Sequence, residues 1–275
     1  MRETILDGAK CLLGECCNLL NENEVEYLIV GGWSPFLFNS NGINHPGTKD
    51  VDVLFKKGFE ENQLKEVIEI FLKNGFYQSA KHNFQLLREI EIKGYKFIYN
   101  MDLLHPDNQE KKSEMFVDHI DFPVKESEIT MVNYKSKTIL LPKSDLFFTD
   151  FYDIYTDSFD LLNGEAKQIS FKLLDEAGII LSKLKSAFNE KRTRDAYDIF
   201  LAIKFNRNYL ATIKKLKQII NKNVSVKESF DNLLKSKNIN YLNNNITDWM
   251  SKLGLNIHNS SSIQVFKKFK KDLEI

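Results

Sequence analysis

The chain has 275 residues, with 38 basic and 38 acidic side chains and a formal net charge of zero. Its hydrophobic content of 43%, including 21 phenylalanines, excludes a globally disordered chain. The zero is a cancellation: residues 1–200 hold 24 basic and 33 acidic side chains, whereas residues 201–275 hold 14 and 5. The neutral total therefore does not exclude a phosphate-bearing partner for the basic region.

The three cysteines, Cys11, Cys16 and Cys17, crowd near the N-terminus. Their odd number and close spacing indicate reduced thiols rather than a disulfide framework or a zinc site. No apolar run approaches the roughly 20 residues that a membrane span needs. Acidic residues also stand in the first seven positions, where a signal peptide is basic and then apolar. We therefore expect a cytoplasmic protein with no membrane partner.

Hydrophobic periodicity predicts alternating helices and strands over the first half of the chain. The predicted elements are a helix over 4–20, a strand over 27–30, a short helix over 33–38, a strand over 51–55, a helix over 60–74, a hairpin over 84–92 and 95–104, and a strand over 137–141. Residues 105–130 are polar and charged, which is typical of a loop or an irregular insertion.

From about residue 144 the spacing predicts helices to the end of the chain, with polar breaks. The breaks are expected near residues 206–208, 221–223, 243–245 and 258–262. The predicted fold is α/β (α+β): a mixed β-sheet flanked by helices, followed by a helical bundle. We place the α/β domain at 1–142 and a helical domain with a basic tail at 143–275.

Two carboxylates share one face of the strand predicted at 51–55. Because residues two apart on a strand point to the same side, Asp50 and Asp52 point together while Val51 and Val53 face the core. Two carboxylates this close repel unless a cation lies between them, and Mg²⁺ binds carboxylates together with substrate phosphates. The pair alone is also compatible with a solvated strand end.

The surrounding residues complete a pattern. Gly31 and Gly32 end the preceding strand and allow a phosphate to approach the backbone, with Ser34 just beyond. Asp102 follows the apolar run 95–101 and can join the pair if that strand lies beside it. Three carboxylates can hold two metals about 3.5–4 Å apart. Singly, the glycines indicate a turn and Asp102 a strand cap; their order together favours a site.

This order resembles the nucleotidyltransferase superfamily that includes DNA polymerase β. That family has a Gly-Gly or Gly-Ser turn, a D-x-D or D-x-E pair on the next strand and a third acid on a later strand. The resemblance implies that Asp50, Asp52 and Asp102 are catalytic and bind Mg²⁺ or Mn²⁺. It also implies that Gly31, Gly32 and Ser34 bind the phosphates of an NTP.

A second motif resembles the AbiEii-like nucleotidyltransferase toxins, in which a lysine on one helix precedes an Arg-Asp-x-x-Asp segment. Lys183 matches that lysine, and Arg194 and Asp195 match the arginine and first aspartate. The resemblance implies that Lys183 and Arg194 bind nucleotide phosphates and that Lys183 and Asp195 are catalytic, so the helical domain completes the active site. The alternatives are a solvated helix face for Lys183 and an i,i+4 surface pair for Arg194 and Asp198.

The sequence departs from that branch just before the acid pair. Thr48 fills the hydroxyl position and is assigned to the nucleotide, but Pro46 stands where a basic residue is expected, with His45 beside it. The resemblance covers about residues 25–205 and does not extend into the basic tail.

The implied reaction is transfer of NMP from an NTP to an acceptor hydroxyl. The basic tail and the toxin branch indicate RNA, such as tRNA, as the acceptor, and an antitoxin as a partner. The lysines of the tail are equally compatible with the solvated faces of amphipathic helices. One alternative is transfer to a small antibiotic-like molecule, and another is a non-catalytic nucleotide- or RNA-binding module. The first needs an acidic acceptor pocket, for which the candidates are Asp145, Asp150, Asp153, Asp157 and Asp160. These five acids are also compatible with a solvated helix face.

Overall fold

The computed structural model describes residues 2–38, 45–79, 81–106, 116–117, 136–141, 143–255 and 260–274. The chain forms two compact units. The sheet unit comprises Met1–Val30 and Gly47–Leu173, and the helical unit comprises Gly31–Pro46 and Leu174–Ile275. Most of the loop predicted at 105–130 lies outside the described residues. None of the described helices has the length and apolar character needed to cross a membrane.

The sheet unit is built on one large mixed sheet. Its strands are β1 (Tyr27–Val30), β2 (Asp50–Phe55), β3 (Tyr77–Gln78), β4 (Gln85–Ile92), β5 (Tyr95–Pro106), β8 (Ile139–Leu141), β9 (Tyr152–Asp160) and β10 (Ala166–Leu174). Two further strands of two residues each, β6 (Phe116–Val117) and β7 (Ser136–Lys137), lie outside it. The main sheet has the order β3-β4-β5-β2-β1-β10-β9, and β8 also pairs with β5, whereas β6 and β7 pair with each other. The predicted mixed sheet is confirmed.

The central strands follow from their side chains. All four residues of β1 are buried, as expected for a short apolar strand between two neighbours. β2 runs antiparallel to β1 and parallel to β5, which places acid-bearing strands side by side. The hairpin of β4 and β5 is confirmed. β4 pairs with β5 as far as Tyr95, beyond the part of β5 that pairs with β2.

Two long helices belong to this unit, α1 (Ile5–Glu22) and α3 (Glu61–Lys73). α1 begins with a capping box between Thr4 and Asp7 and buries a continuous face that includes all three cysteines. It packs on the sheet face that carries Tyr99, whose hydroxyl donates to the Ile5 carbonyl at 2.8 Å. The other face of the sheet carries the aspartates.

The prediction of helices from residue 144 onward is wrong for residues 152–174. This stretch forms β9 and β10, and β10 pairs in parallel with β1 through Ile29 and Leu173. In β10 the buried residues Ile169, Phe171 and Leu173 alternate with more exposed ones, a strand period rather than a helical one. Residues 143–173 thus belong with the sheet, whereas the sequence prediction assigned them to the second domain.

The helical unit contains the short helix α2 (Trp33–Phe38) and the C-terminal helices. These are α5 (Glu176–Lys183), α6 (Arg194–Lys204), α7 (Tyr209–Lys222), α8 (Val224–Leu233), α9 (Ser236–Lys252) and α10 (Ser260–Leu273); α4 (Phe147–Asp150) lies in the sheet unit. Of the predicted breaks, those near 206–208 and 221–223 are confirmed. The one near 243–245 is wrong, because α9 runs through it with Leu242 and Ile246 buried. The fourth lies partly outside the described residues, and its described positions 260–262 begin α10.

Candidate active site: an acid row and a buried charge cluster

Asp50, Asp52 and Asp102 form what we term the acid row, on one face of the sheet. In the parallel pairing of β2 and β5, Asp52 lies directly opposite Asp102, and Asp50 lies opposite Asn100. Residues that pair across neighbouring strands project to the same face, so all three carboxylates share it. The side chain of Asp50 is exposed, and Asp52 and Asp102 are half-buried. The sheet therefore brings together the three acids predicted from the sequence.

The environment of Asp102 disfavours the charged form of its carboxyl group. Burial raises the pKa of its carboxyl group, and the negative charge of Asp50 raises it further. Hydrogen bonds from Asn100 and Gln85 act in the opposite direction. An acid with a raised pKa is a stronger base than an ordinary carboxylate once it is ionised, which suits a group that accepts a proton.

The three carboxylates do not close around a single point in this conformation. Over the part of the chain that the structure describes, no group of three or more His, Cys, Asp or Glu side chains is arranged to hold a metal ion. Asp52 and Asp102, opposite each other on adjacent strands, still offer the oxygen donors that Mg²⁺ prefers. This donor set fits a cation that completes its coordination with substrate phosphates and water.

The glycine turn follows β1 directly. Gly31 has a φ of 76°, in the left-handed region that a glycine adopts without strain. Ser34 lies in α2 and is fully buried, and its Oγ finds no hydrogen-bond partner among the described residues. Thr48 is half-buried, two residues before β2. Thr48 and the acid row belong to the sheet unit, whereas Gly31, Gly32 and Ser34 belong to the helical unit.

His45, Lys183, Asp195 and Asp198 form a buried charge cluster within the helical unit. Lys183 ends α5, and its Nζ donates to Asp195 Oδ1 at 2.7 Å. The same nitrogen lies 2.9 Å from Asp198 Oδ2, an ion pair by distance, although no donor in the described residues meets hydrogen-bond geometry at that oxygen. The lysine and both aspartates are each at most 3% exposed. The predicted pair Lys183 and Asp195 is thus brought together, but away from solvent.

His45 supplies the fourth member of this cluster. Its Nε2 lies 2.9 Å from Asp198 Oδ1, and its side chain is 1% exposed. The imidazole also stacks near the ring of Tyr197, with ring centroids 6.5 Å apart. The interpretation of Asp198 as part of a surface pair is therefore wrong: its carboxylate is buried, with Arg194 Nε 3.7 Å away.

Asp198 and His45 lie outside the set of site residues predicted from the sequence. The spacing of Asp195 and Asp198 was a usable signal, because residues three apart share one helix face and Lys183 has two carboxylates to meet there. His45 gave no local signal, since 153 positions separate it from Asp198 in the chain.

The electrostatics of the cluster are internally balanced. Burial opposes the charged form of Asp198, but Lys183, His45 and Arg194 outweigh it and hold the pKa of that carboxyl below its ordinary value. Burial also opposes the charge on Lys183, but the two aspartates raise its pKa above the ordinary value. Arg192 adds an ion pair to Asp195 at 3.0 Å from a mostly exposed side chain. The Lys183 ammonium and the Asp198 carboxylate therefore stay ionised at neutral pH.

No known protein-family model matches this chain, and no curated protein sequence matches it. Among solved structures, it is similar to a chain described as an antigenic nucleotidyltransferase-like protein from Paracoccidioides brasiliensis. The two are 14% identical, the match covers 80% of this chain and 92% of the other, and the TM-score is 0.34. A likeness of this size carries no argument about function, which therefore depends on the residues themselves.

Proposed function

We propose that the protein transfers a nucleoside monophosphate from an NTP to an acceptor hydroxyl, with Mg²⁺ or Mn²⁺ as cofactor. The observation that carries the proposal is the register of β2 and β5, which sets Asp52 opposite Asp102 with Asp50 on the same face. The register gathers three carboxylates on one face, and carboxylate oxygens are the ligands that Mg²⁺ prefers in proteins.

Asp50 and Asp52 would hold the cation, and Asp102 would share a second cation or accept the proton of the acceptor hydroxyl. When bound, the cation neutralises phosphate charge in the ground state and in the transition state. The acceptor oxygen forms a bond to the α-phosphorus, the bond from that phosphorus to the bridging oxygen breaks, and pyrophosphate leaves. The contribution of these side chains is positioning and charge balance.

The remaining predicted residues are assigned by their resemblance to the family motifs. Gly31, Gly32, Ser34 and Thr48 are proposed to contact the nucleotide, as are Lys183 and Arg194. In the described conformation the ammonium of Lys183 is enclosed by carboxylates. We therefore propose that Asp195 orients Lys183, and that Arg194, whose side chain is 29% exposed, is the more accessible cation for a phosphate.

The acceptor proposed here is RNA, such as tRNA. Residues 201–275 carry nine more basic than acidic side chains, and lysine-rich surfaces bind nucleic-acid phosphates in a salt-dependent manner. With the resemblance to AbiEii-like toxins, this acceptor implies a toxin whose activity an antitoxin restrains.

The test is incubation of the protein with each radiolabelled NTP, total RNA and Mg²⁺. Label on RNA supports the proposal, and label only on a small hydroxyl compound favours the antibiotic-type transferase. Nucleotide binding without transfer favours a non-catalytic module. Asp50→Ala should abolish transfer with folding retained, while Glu91→Ala, which removes an exposed strand acid in the same unit, should keep activity. Unchanged transfer by Asp50→Ala would sink the assignment.

A further inference from the structure

Asn100 lies on the sheet beside the acid row, and the proposed reaction gives it no role. It lies opposite Asp50 in the register of β2 and β5, two residues before Asp102. Its Nδ2 donates a hydrogen bond to Asp102 Oδ1 at 2.8 Å. The amide is therefore on the same sheet face as the three carboxylates and touches one of them.

Gln85 approaches the same carboxylate from the other side. In the antiparallel pairing of β4 and β5 it lies directly opposite Asp102. Its side chain also donates a hydrogen bond to Asp102. Since β5 lies between β4 and β2, Asp102 has Gln85 across one strand edge and Asp52 across the other. We call Asn100 and Gln85 the amide clamp.

The clamp addresses a physical problem of the acid row. Like charges on adjacent strands repel, and a half-buried carboxylate gains by rotating away from its neighbours towards water. Two amide donors oppose that rotation, because hydrogen bonds to an ionised group are about twice as strong as neutral ones. An amide N–H only donates, so it acts on Asp102 and is not itself a metal ligand.

We propose that Asn100 and Gln85 are positioning residues that hold the Asp102 carboxylate beside Asp52, so that the two can bind one divalent cation. The inference rests on the proposed function and on the first of the two roles given there to Asp102, in which it shares the second cation, here with Asp52. Hydrogen-bond partners of metal ligands commonly change metal affinity 10–100-fold when they are replaced. The clamp is expected to act in that range.

The experiment is titration of the full chain with Mn²⁺ alone, without nucleotide, followed by calorimetry or electron paramagnetic resonance. Asn100→Leu and Gln85→Met keep the approximate shape of each side chain and remove its donor. Each should raise the Mn²⁺ dissociation constant at least about 10-fold. Asn100→Gln, which retains an amide, should recover part of the affinity.

Asn74→Ala is the matched control. Asn74 is also an amide in the sheet unit, and its Nδ2 donates to the Ile70 carbonyl at 2.8 Å at the end of α3. Its loss costs a local hydrogen bond away from the acid row, so Mn²⁺ binding should not change. This control separates a loss of stability from a loss of positioning.

The outcomes distinguish the two levels of the proposal. If Asp102→Asn weakens Mn²⁺ binding but Asn100→Leu and Gln85→Met bind as the wild type does, the clamp is wrong and the cation site stands. If the wild-type chain binds no Mn²⁺, the cation site fails and the proposed function fails with it. If one clamp variant does not fold, the other decides by the same criterion.

Discussion

The acid row and the charge cluster treat the same kind of side chain in opposite ways. In the acid row, three carboxylates share an open sheet face, and their pairing partners include amides but no cation. In the charge cluster, two buried aspartates enclose a lysine and a histidine. The acid row gathers like charges on one sheet face, whereas the cluster pairs its aspartates with a lysine and a histidine of the same unit. Removing an acid should therefore have opposite effects on stability in the two places.

The largest expected effect comes from breaking the charge cluster at its centre. Lys183→Met leaves Asp195 and Asp198 buried without their main cation, and breaking such a pair costs about 3–5 kcal/mol. Urea denaturation followed by circular dichroism measures the loss. A decrease in unfolding free energy below about 1 kcal/mol would contradict the view that this cluster is structurally essential.

Asp198→Asn tests the same cluster through pH. The folded-state pKa of Asp198 is below its ordinary value, so its stabilising effect is present above its unfolded pKa of about 3.9 and is lost as the pH falls through the folded value. The unfolding free energy of the wild type should exceed that of the variant by about 1.5–3 kcal/mol at pH 7. The gap should shrink below about pH 4; a gap that stays constant to pH 2 would exclude this origin.

In the acid row, Asp102→Asn should have little effect on stability. Burial and Asp50 raise the pKa of Asp102, so its charge at pH 7 costs folding free energy, and the neutral amide removes that cost. The unfolding free energy should stay within about 0.5 kcal/mol of wild type or rise. Thermal unfolding and the radiolabel assay check this prediction together. The variant should lose nucleotidyl transfer while its thermal unfolding midpoint stays that of the wild type. A large drop in midpoint would make Asp102 a structural residue.

The smallest expected change in stability is at an ion pair that lies outside both the acid row and the charge cluster. Asp248 and Lys252 form an i,i+4 pair on α9, with both side chains more than half exposed. Asp248→Asn should change the unfolding free energy by no more than about 0.5 kcal/mol. Salt should erase even that difference. Only a buried pair is expected to resist such screening.

Much of the sheet unit was accessible from the sequence because its signals are local. β1 and β2 are short β-rich runs beside glycines and aspartates, and the β4–β5 hairpin has a Lys-Gly turn between two strand patterns. β9 was not, because Tyr152–Asp160 has three aspartates and only one buried residue. Its strand state depends on pairing beside β10, and such tertiary context overrides local preference.

In the candidate site, too, the residues with local sequence signals could be predicted, and those that depend on packing could not. The acid row could be derived because the period of a strand fixes which residues share a face. The relation of Asp52 to Asp102 needed only the assumption that their strands are neighbours. The link from His45 to Asp198 and the amide at Asn100 depend on register and burial, which arise only when distant segments pack.

The pairing of β1 with β10 has a consequence for how this protein is made. β1 is synthesised early, but the strand that covers its open edge ends at Leu174, and Ile29 and Leu173 are 144 positions apart. During translation one edge of β1 stays unpaired until β10 has been synthesised. Long-range strand pairing of this kind also forms slowly. A chain cut after residue 142 would keep that edge exposed and should aggregate more readily than the full chain.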